Sequence, residues 1–311
     1  MLDGSLKARF CKDMGIKINV FSEPYFTDRL MLFGKTQEYN EFNNMILEKF
    51  KGEADAYIRY CNDITAKAVE YIRESSAFKS LNSCDMSQYS VNNGFRQGDI
   101  YKYSFVGKNF ISIDMCKANF SSIKAYAKLT GTVFVKDDET YEAFISRFTD
   151  IKYLHKSKLV RQIIFGKCNS GRFTTFEKYI MNNLLIELNI DKEAIISFCN
   201  DEIILDRDKL TEDKIKEIKE KESNYIVPLK VEEFRLLRVD GISAFVKEIN
   251  TDNGEIDYEI KGANPVYHLM TQRLLANQPI KDDDLVFFSE YGRAKLTDKP
   301  VIKLVDGGWR S

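Results

Sequence analysis

Hydrophobic residues recur at two different spacings along the chain, and the spacing changes from one part to the next. In residues 37–79, apolar side chains recur every three or four positions, which is typical of amphipathic helices. Residues 80–100 are polar and contain a glycine turn, which indicates a boundary. Residues 1–100 are therefore predicted to form a mostly helical N-terminal region.

The middle of the chain mixes helical and extended patterns. Aromatic and β-branched residues leading to Met115 predict an extended segment with a turn at Gly107. Helical spacing follows at 118–130, 137–148, 156–165, 173–188 and 211–222. The stretches "AIISFC" and "EIILD" predict two short strands joined by a tight turn at Asn200 and Asp201.

The C-terminal part alternates apolar and polar residues. Residues 225–262 have this period of two and contain an Asp-Gly and an Asn-Gly turn signal, which predicts a β-meander. A helix is predicted at 264–276, and short strands and turns in the last 30 residues. The chain is therefore predicted to be α+β, with a mixed core at 101–222 and a β-rich region at 223–311.

Two adjacent carboxylates, Asp201 and Glu202, interrupt a hydrophobic stretch. A solvated turn is one interpretation of this break. The apolar flanks favour another, because they would bury the hairpin, and buried carboxylates need a partner or a cation. Asp114 ends the apolar run "FISI" in a similar way, either as the N-cap of the next helix or as a member of the same acidic cluster.

A cluster of Asp114, Asp201 and Glu202 would be destabilised by repulsion between the three negative charges. Three carboxylates in close contact raise one another's pKa unless cations lie between them. Carboxylate oxygens suit Mg²⁺ or Mn²⁺, and Mg²⁺ also binds substrate phosphates. The sequence thus predicts that this cluster binds divalent cations, in the two-metal arrangement used for phosphoryl transfer.

A basic segment lies between the two acidic sites. Four cationic residues fall close together in "KSKLVRQIIFGKCNSGR", namely Lys158, Arg161, Lys167 and Arg172. On a helix, Lys158 and Arg161 would share a face with Phe165. Basic groups beside an aromatic ring suit a nucleoside triphosphate, while a solvated basic helix is the alternative.

The composition limits the other classes of function. Lys plus Arg (46) nearly balances Asp plus Glu (47), so any anionic partner requires a local basic surface. Six Cys without a C-x-x-C pair, together with two His, make a zinc site improbable. The absence of a leader-like segment or a long apolar run predicts a cytoplasmic protein without membrane contact.

The order of these segments resembles motifs A, B and C of a polymerase palm domain. "DMCKANFSSIKAYAKLTG" resembles motif A of A-family DNA polymerases, "RQIIFG" the Phe-Gly core of motif B, and "FCNDEIILD" motif C. After motif C, "SAFVKEINTDNGEIDYEIKG" is similar to B-family polymerases, in which a basic strand precedes a hairpin ending in Lys-Gly. The resemblance covers roughly residues 108–262.

The resemblance implies a palm with short fingers-like helices in 101–222 and a thumb-like or nucleic-acid-contacting region in 223–311. It implies catalytic roles for Asp114, Asp201 and Glu202, with Asp114 and Asp201 as the metal ligands and Glu202 as an auxiliary acid. It also implies contacts to a nucleoside triphosphate by the basic segment and Phe165. Asn119 would lie near the sugar 2′-hydroxyl, and Lys247 would contact the primer or template.

The expected function is that of a small metal-dependent DNA polymerase, which extends a primer by in-line attack on a nucleoside triphosphate. The family has His in place of Asn200, Lys in place of Arg161 and Tyr in place of Asn169. These differences leave two alternatives open. One is an inactive palm-derived nucleic-acid-binding or replication accessory protein. The other is a phage or host interaction protein in which Asp114 and Asp201 lie far apart.

Overall fold

The computed structural model describes residues 2–95, 97–251, 253–289 and 292–307. Positions 1, 96, 252, 290–291 and 308–311 lie outside the described residues, although the predicted boundary, meander and C-terminal strands include most of them. The helices are α1 (Gly4–Met14), α2 (Tyr25–Leu32), α3 (Thr36–Phe50), α4 (Ala54–Glu74), α5 (Ser76–Ser83), α6 (Ala118–Thr130), α7 (Tyr141–Ile145), α8 (Lys152–Lys156), α9 (Lys158–Gly166), α10 (Ser170–Glu187), α11 (Glu212–Asn224) and α12 (Pro265–Leu275). The strands are β1 (Asn109–Met115), β2 (Ile195–Phe198), β3 (Glu202–Asp206), β4 (Leu229–Asp240), β5 (Ala244–Asn250), β6 (Ile256–Lys261), β7 (Val286–Ser289), β8 (Gly292–Lys295) and β9 (Lys303–Val305).

Local backbone signals divide the predicted helical regions. The region predicted at 37–79 contains α3, α4 and the start of α5, because Lys51 and Gly52 take positive φ angles of 53° and 81° and end α3. Ser75 starts α5, since its hydroxyl accepts a hydrogen bond from the Phe78 backbone N–H. The helix predicted at 118–130 coincides with α6 and ends at Gly131 in the left-handed conformation.

The strands confirm the predicted α+β class with an antiparallel sheet. Among the described residues, the main sheet has the order β2-β3-β1-β4-β5-β6, and β9 pairs with β4. The segment from β1 to β4 has the β-α-β-β-α-β succession of ferredoxin-like units, with α6 to α10 between β1 and β2 and α11 between β3 and β4. The predicted boundary at 222/223 lies in α11 and would separate β4 from its partner β1 in the same sheet.

One hydrophobic core extends through most of the chain. Its buried residues run from Leu2 to Leu229 and include side chains from every helix between α1 and α11. The polar stretch 80–100 therefore does not separate two hydrophobic cores. The N-terminal helices pack in the same interior as the helices that cover the sheet.

The two faces of the sheet have different surroundings. Ile111 and Ile113 of β1 point into the helical core, whereas Phe110 belongs to a smaller cluster on the opposite side. Because side chains alternate along a strand, Ser112 and Asp114 lie on that same side, hereafter the open face. Residues 97–105 cover part of the open face, with Ile100 buried in the smaller cluster.

The C-terminal part is fastened to the second helix of the chain. Arg273 on α12 is 1% exposed and forms ion pairs with Asp284 and with Asp28 on α2. Arg29 on α2 donates a hydrogen bond to the backbone oxygen of Asp283. None of the described helices combines the length and apolar character needed to span a membrane.

Candidate active site

The three predicted acidic residues lie at one end of the β1–β3 pair. Asp114 is directly opposite Glu202, and residues paired in this way have Cβ atoms about 4.5–5.5 Å apart. The backbone N–H of Met115 donates a 2.9 Å hydrogen bond to the backbone oxygen of Asp201. The short turn between β2 and β3, predicted at Asn200 and Asp201, therefore places Asp201 beside the end of β1.

Asp114 has a strongly perturbed environment. The pKa of Asp114 is raised to about 6, first by burial and then by the negative charges of Asp201, Glu202 and Glu232, while Lys230 opposes the rise. The carboxylates therefore interact electrostatically as a group. A solvated acidic turn far from Asp114 would not produce this coupling.

Glu202 is held by two residues on the open face. The Ser112 hydroxyl donates a 2.9 Å hydrogen bond to Glu202 Oε1, and Lys247 Nζ lies 3.6 Å from the same oxygen. Lys247 is only 4% exposed, and its ammonium group lies 4.5 Å from the centre of the Phe234 ring. The expected contact of Lys247 with nucleic acid is therefore replaced by contact with Glu202, because the side chain is enclosed.

A fourth carboxylate, Glu177 on α10, lies behind this cluster. It is 3% exposed, and its Oε1 accepts a 2.7 Å hydrogen bond from Asn119 Nδ2 on α6. Burial raises the pKa of Glu177 to about 7; Asn119 opposes the rise and the charge of Asp201 adds to it. The sequence reasoning missed Glu177, although a signal exists, since it lies on the apolar face of α10 in line with Phe173 and Ile180.

Three members of the predicted basic segment are on or just after α9. Lys158 and Lys167 are exposed, and Arg161 is partly exposed. The Arg161 guanidinium lies 5.7 Å from the centre of the Tyr141 ring. The Lys167 backbone oxygen accepts a hydrogen bond from Arg73. The Lys167 ammonium group takes no part in that hydrogen bond.

Phe165 and the fourth cationic residue, Arg172, have contacts within the protein. Phe165 is fully buried and packs edge-on against Phe173 at 5.9 Å, so its ring has no exposed face for a nucleobase. Arg172 Nη1 donates hydrogen bonds to the backbone oxygens of Leu81 and Cys84. These contacts differ from the expected nucleotide contacts, because both side chains hold α9 and α10 against neighbouring parts of the fold.

A cavity of about 490 Å³ begins immediately after β1. It lies between α6, residues 137–141 and residues 222–228, and its volume is in the range of small-molecule sites. Lys117 and Lys124 line it, and Lys117 Nζ contacts both carboxylate oxygens of Glu142 at 2.5 and 2.6 Å. Burial raises the pKa of Glu142, but the hydrogen bonds from Lys117 and the charge of Arg161 outweigh it, and the pKa is lowered overall.

The donor set at the end of β1 suits a hard divalent cation. The described residues contain no group of three or more His, Cys, Asp or Glu side chains that could hold a metal ion. Asp114 and Asp201 nevertheless supply carboxylate oxygens, and a cation between them would relieve the repulsion that raises the pKa of Asp114. Mg²⁺ commonly uses one or two protein carboxylates and completes its coordination with water and substrate phosphates.

The raised carboxyl pKa values predict an unusual pH dependence of stability. Without divalent cations, the unfolded chain releases the protons of Asp114 and Glu177 near 3.8 and 4.5, whereas the folded chain holds them to about 6 and about 7. The folded state binds more protons in this window, so the free energy of unfolding should fall as the pH rises through it. We expect Asp114→Asn and Glu177→Gln each to flatten this decline in chemical unfolding measured at a series of pH values.

A matched control for this experiment is Asp208→Asn, in an exposed turn after β3. It should leave the decline unchanged. A decline of wild-type steepness in both Asp114→Asn and Glu177→Gln would contradict the two raised pKa values.

Comparison with known proteins adds no family to these observations. No protein-family model matches the sequence, and no curated protein matches it with significance.

Proposed function

We propose that this protein is a metal-dependent nucleotidyltransferase, and specifically a small DNA polymerase with a palm-like sheet. The observation that carries the proposal is the position of Asp114 and Asp201 at adjacent strand ends, where the Met115 N–H donates a hydrogen bond to the Asp201 backbone oxygen. A cavity begins two residues after Asp114, at Cys116. An antiparallel sheet with helices on one face supports the palm-like interpretation. The interaction-protein alternative requires Asp114 and Asp201 to be far apart, whereas Met115 N–H bonds directly to Asp201.

In the proposed reaction, Asp114 and Asp201 would hold the divalent cations at the ends of β1 and β3, close to where the primer 3′-oxygen and the α-phosphate would have to meet. The chemistry supplied by bound Mg²⁺ or Mn²⁺ is activation of the attacking oxygen and stabilisation of the leaving pyrophosphate. Catalysis of phosphoryl transfer depends mainly on positioning and charge, so the protein needs no covalent nucleophile.

The proposed site for the nucleoside triphosphate is the cavity after β1. Its volume of about 490 Å³ accommodates a small ligand. The lining combines three lysines with four carboxylates, so a triphosphate would bind there together with cations. These residues are Lys117, Lys124, Lys128, Asp137, Asp138, Glu139 and Glu222. Arg161 is close, since its guanidinium stacks on Tyr141, which lines the same cavity. Ionic hydrogen bonds from such groups suit phosphate oxygens. Glu142, now bonded to Lys117, would be exchanged for a phosphate group on binding.

The proposed surface for primer and template is the open face beyond Lys247. Tyr103 is 61% exposed there, and the Arg238 guanidinium lies 4.0 Å from the centre of its ring. Exposed Lys108 lies at the start of β1, 5.4 Å from the centre of the Phe105 ring. Aromatic rings beside cationic side chains are typical of surfaces that bind single strands.

A second candidate function is a nucleic-acid-binding replication accessory protein without catalysis. The burial of Phe165 and the backbone hydrogen bonds of Arg172 favour it, because both residues are occupied in packing. Such a protein would bind nucleic acid at the open face but would bind no nucleoside triphosphate.

A primer-extension assay on the wild-type protein separates the two candidates. We expect lengthening of a primer annealed to a longer template when deoxynucleoside triphosphates and Mg²⁺ or Mn²⁺ are present, and none after addition of a chelator. Binding of the primer-template without lengthening would support the accessory protein. Neither binding nor lengthening would contradict both candidates.

A further inference from the structure

An enclosed ion pair connects the acidic cluster to a strand on the far side of the sheet. Lys247 belongs to β5, and β4 and β1 lie between it and β3, which carries Glu202. The lysine side chain nevertheless extends along the open face and brings its ammonium group to 3.6 Å from Glu202 Oε1. The Lys247 side chain is 5% exposed and the Glu202 side chain 35%, so the charge on the lysine is the more enclosed of the two.

Lys247 has a restricted choice of counter-charge. A buried ammonium group is stable only when it is paired. Glu259 on β6 is directly opposite Lys247, but it forms its own 2.5 Å ion pair with Lys261. On its other side, Lys247 faces the ring of Phe234 rather than an anion. Glu202 is therefore the carboxylate that compensates Lys247.

Glu202 is correspondingly restrained. Its Oε1 accepts the hydrogen bond from Ser112, which is itself 2% exposed, and is also the oxygen nearest to Lys247. In the described part of the chain, no ion pair includes Asp114, which lies opposite Glu202. Lys230 lowers the pKa of Asp114 but forms its own 2.5 Å ion pair with Glu232. Of the three carboxylates, Glu202 is paired with Lys247, and no described ion pair includes Asp114 or Asp201.

We propose that Lys247 is a positioning residue that retains Glu202 in a protein ion pair and so confines divalent-cation binding to Asp114 and Asp201. This inference rests on the proposed function, because it concerns the same cation site. Removal of the Lys247 charge would release Glu202, whose carboxylate could then turn toward the cation. The cation would then gain Glu202 as a ligand and would no longer be confined to Asp114 and Asp201, as the proposed reaction requires.

The test is a double-mutant cycle on Mn²⁺ binding, measured by calorimetry on the full chain. We expect Lys247→Met to tighten Mn²⁺ binding about five-fold when residue 202 is Glu, and less than about two-fold in the Glu202→Gln background. Lys230→Met is the matched control. It also removes a positive charge from the open face, so its effect on Mn²⁺ affinity should be the same in both backgrounds.

Two further measurements test whether a change in Mn²⁺ affinity is caused by loss of folding. Lys247→Arg keeps the positive charge and should bind Mn²⁺ like the wild type. In chelated samples, Lys247→Met should lower the unfolding midpoint, and addition of Glu202→Gln should restore part of it because the unpaired carboxylate is removed.

The outcomes separate this inference from the proposed function. Equal effects of Lys247→Met in the two backgrounds overturn the positioning role and leave the polymerase proposal standing. If the variants give the expected cycle but the wild-type protein never extends a primer, the polymerase proposal is contradicted and the role of the ion pair is supported. A wild-type protein that binds no Mn²⁺ overturns both.

Discussion

Asp114→Asn is expected to reduce nucleotide incorporation about a thousand-fold or more, which corresponds to ~4 kcal/mol of transition-state stabilisation. The substitution keeps the size of the side chain but removes one of the two carboxylates proposed to hold the cations. Asp201→Asn should have a comparable effect, because we propose that the two side chains hold the cations together at the end of the β1–β3 pair. The measurement is single-nucleotide incorporation at saturating Mg²⁺.

The folded state of the Asp114 variant should remain intact. Removal of one charge relieves the repulsion that raises the pKa of Asp114, so the metal-free variant should be at least as stable as the wild type near neutral pH. Asp208→Asn, at an exposed position after β3, is the control and should incorporate nucleotides normally. Normal incorporation by Asp114→Asn would end the assignment of this residue to catalysis.

Arg273→Met is expected to lower the free energy of unfolding by about 3–5 kcal/mol, the effect typical of removing one partner from a buried ion pair. Arg273 and Asp284 side chains are both 1% exposed, and Arg273 Nε donates to Asp284 Oδ2. The same guanidinium also donates to Asp28 on α2 and to Gln278. Methionine would leave Asp284 buried without its counter-charge, while retaining most of the apolar stem.

Equilibrium unfolding in urea, monitored by circular dichroism, provides the measurement. The control is Lys49→Met, which removes an ion pair with Asp150 whose side chains are 54% and 75% exposed. Exposed pairs contribute about 0–1 kcal/mol, so the control should change stability little. Equal losses in Arg273→Met and Lys49→Met would show that the buried network does not fasten α12 to α2.

Elements with strong local signals could be predicted from the sequence. The apolar spacing and Gly131 define α6 completely, and the Asp-Gly turn signal agrees with the hairpin of β4 and β5. The first 36 residues carry no equally clear pattern, and α1 and α2 were not predicted there. The helix predicted at 137–148 is confined to α7, because Thr140 caps it and Ser146 ends it.

Those residues of the candidate site that are marked by their immediate sequence neighbours could be predicted. Acidic residues after apolar strands indicated Asp114, Asp201 and Glu202, and strand pairing places them at the same end of two neighbouring strands. Lys247 and Phe165 could not be assigned correctly, because the direction of a side chain depends on strands and helices distant in sequence. The contact of Lys247 with Glu202 depends on the order of four strands, which no local pattern specifies.

The central position of β1 also has a consequence for synthesis on the ribosome. Both partners of β1 are made later: β3 begins at Glu202 and β4 at Leu229. At usual elongation rates, β1 waits on the order of ten seconds before its second neighbour emerges. Its sequence "NFISIDM" is apolar and strand-forming, so the nascent chain depends on α6 to α10 to shield one side of β1 from other chains. The strand that carries Asp114 is therefore exposed to aggregation until β3 and β4 have been made.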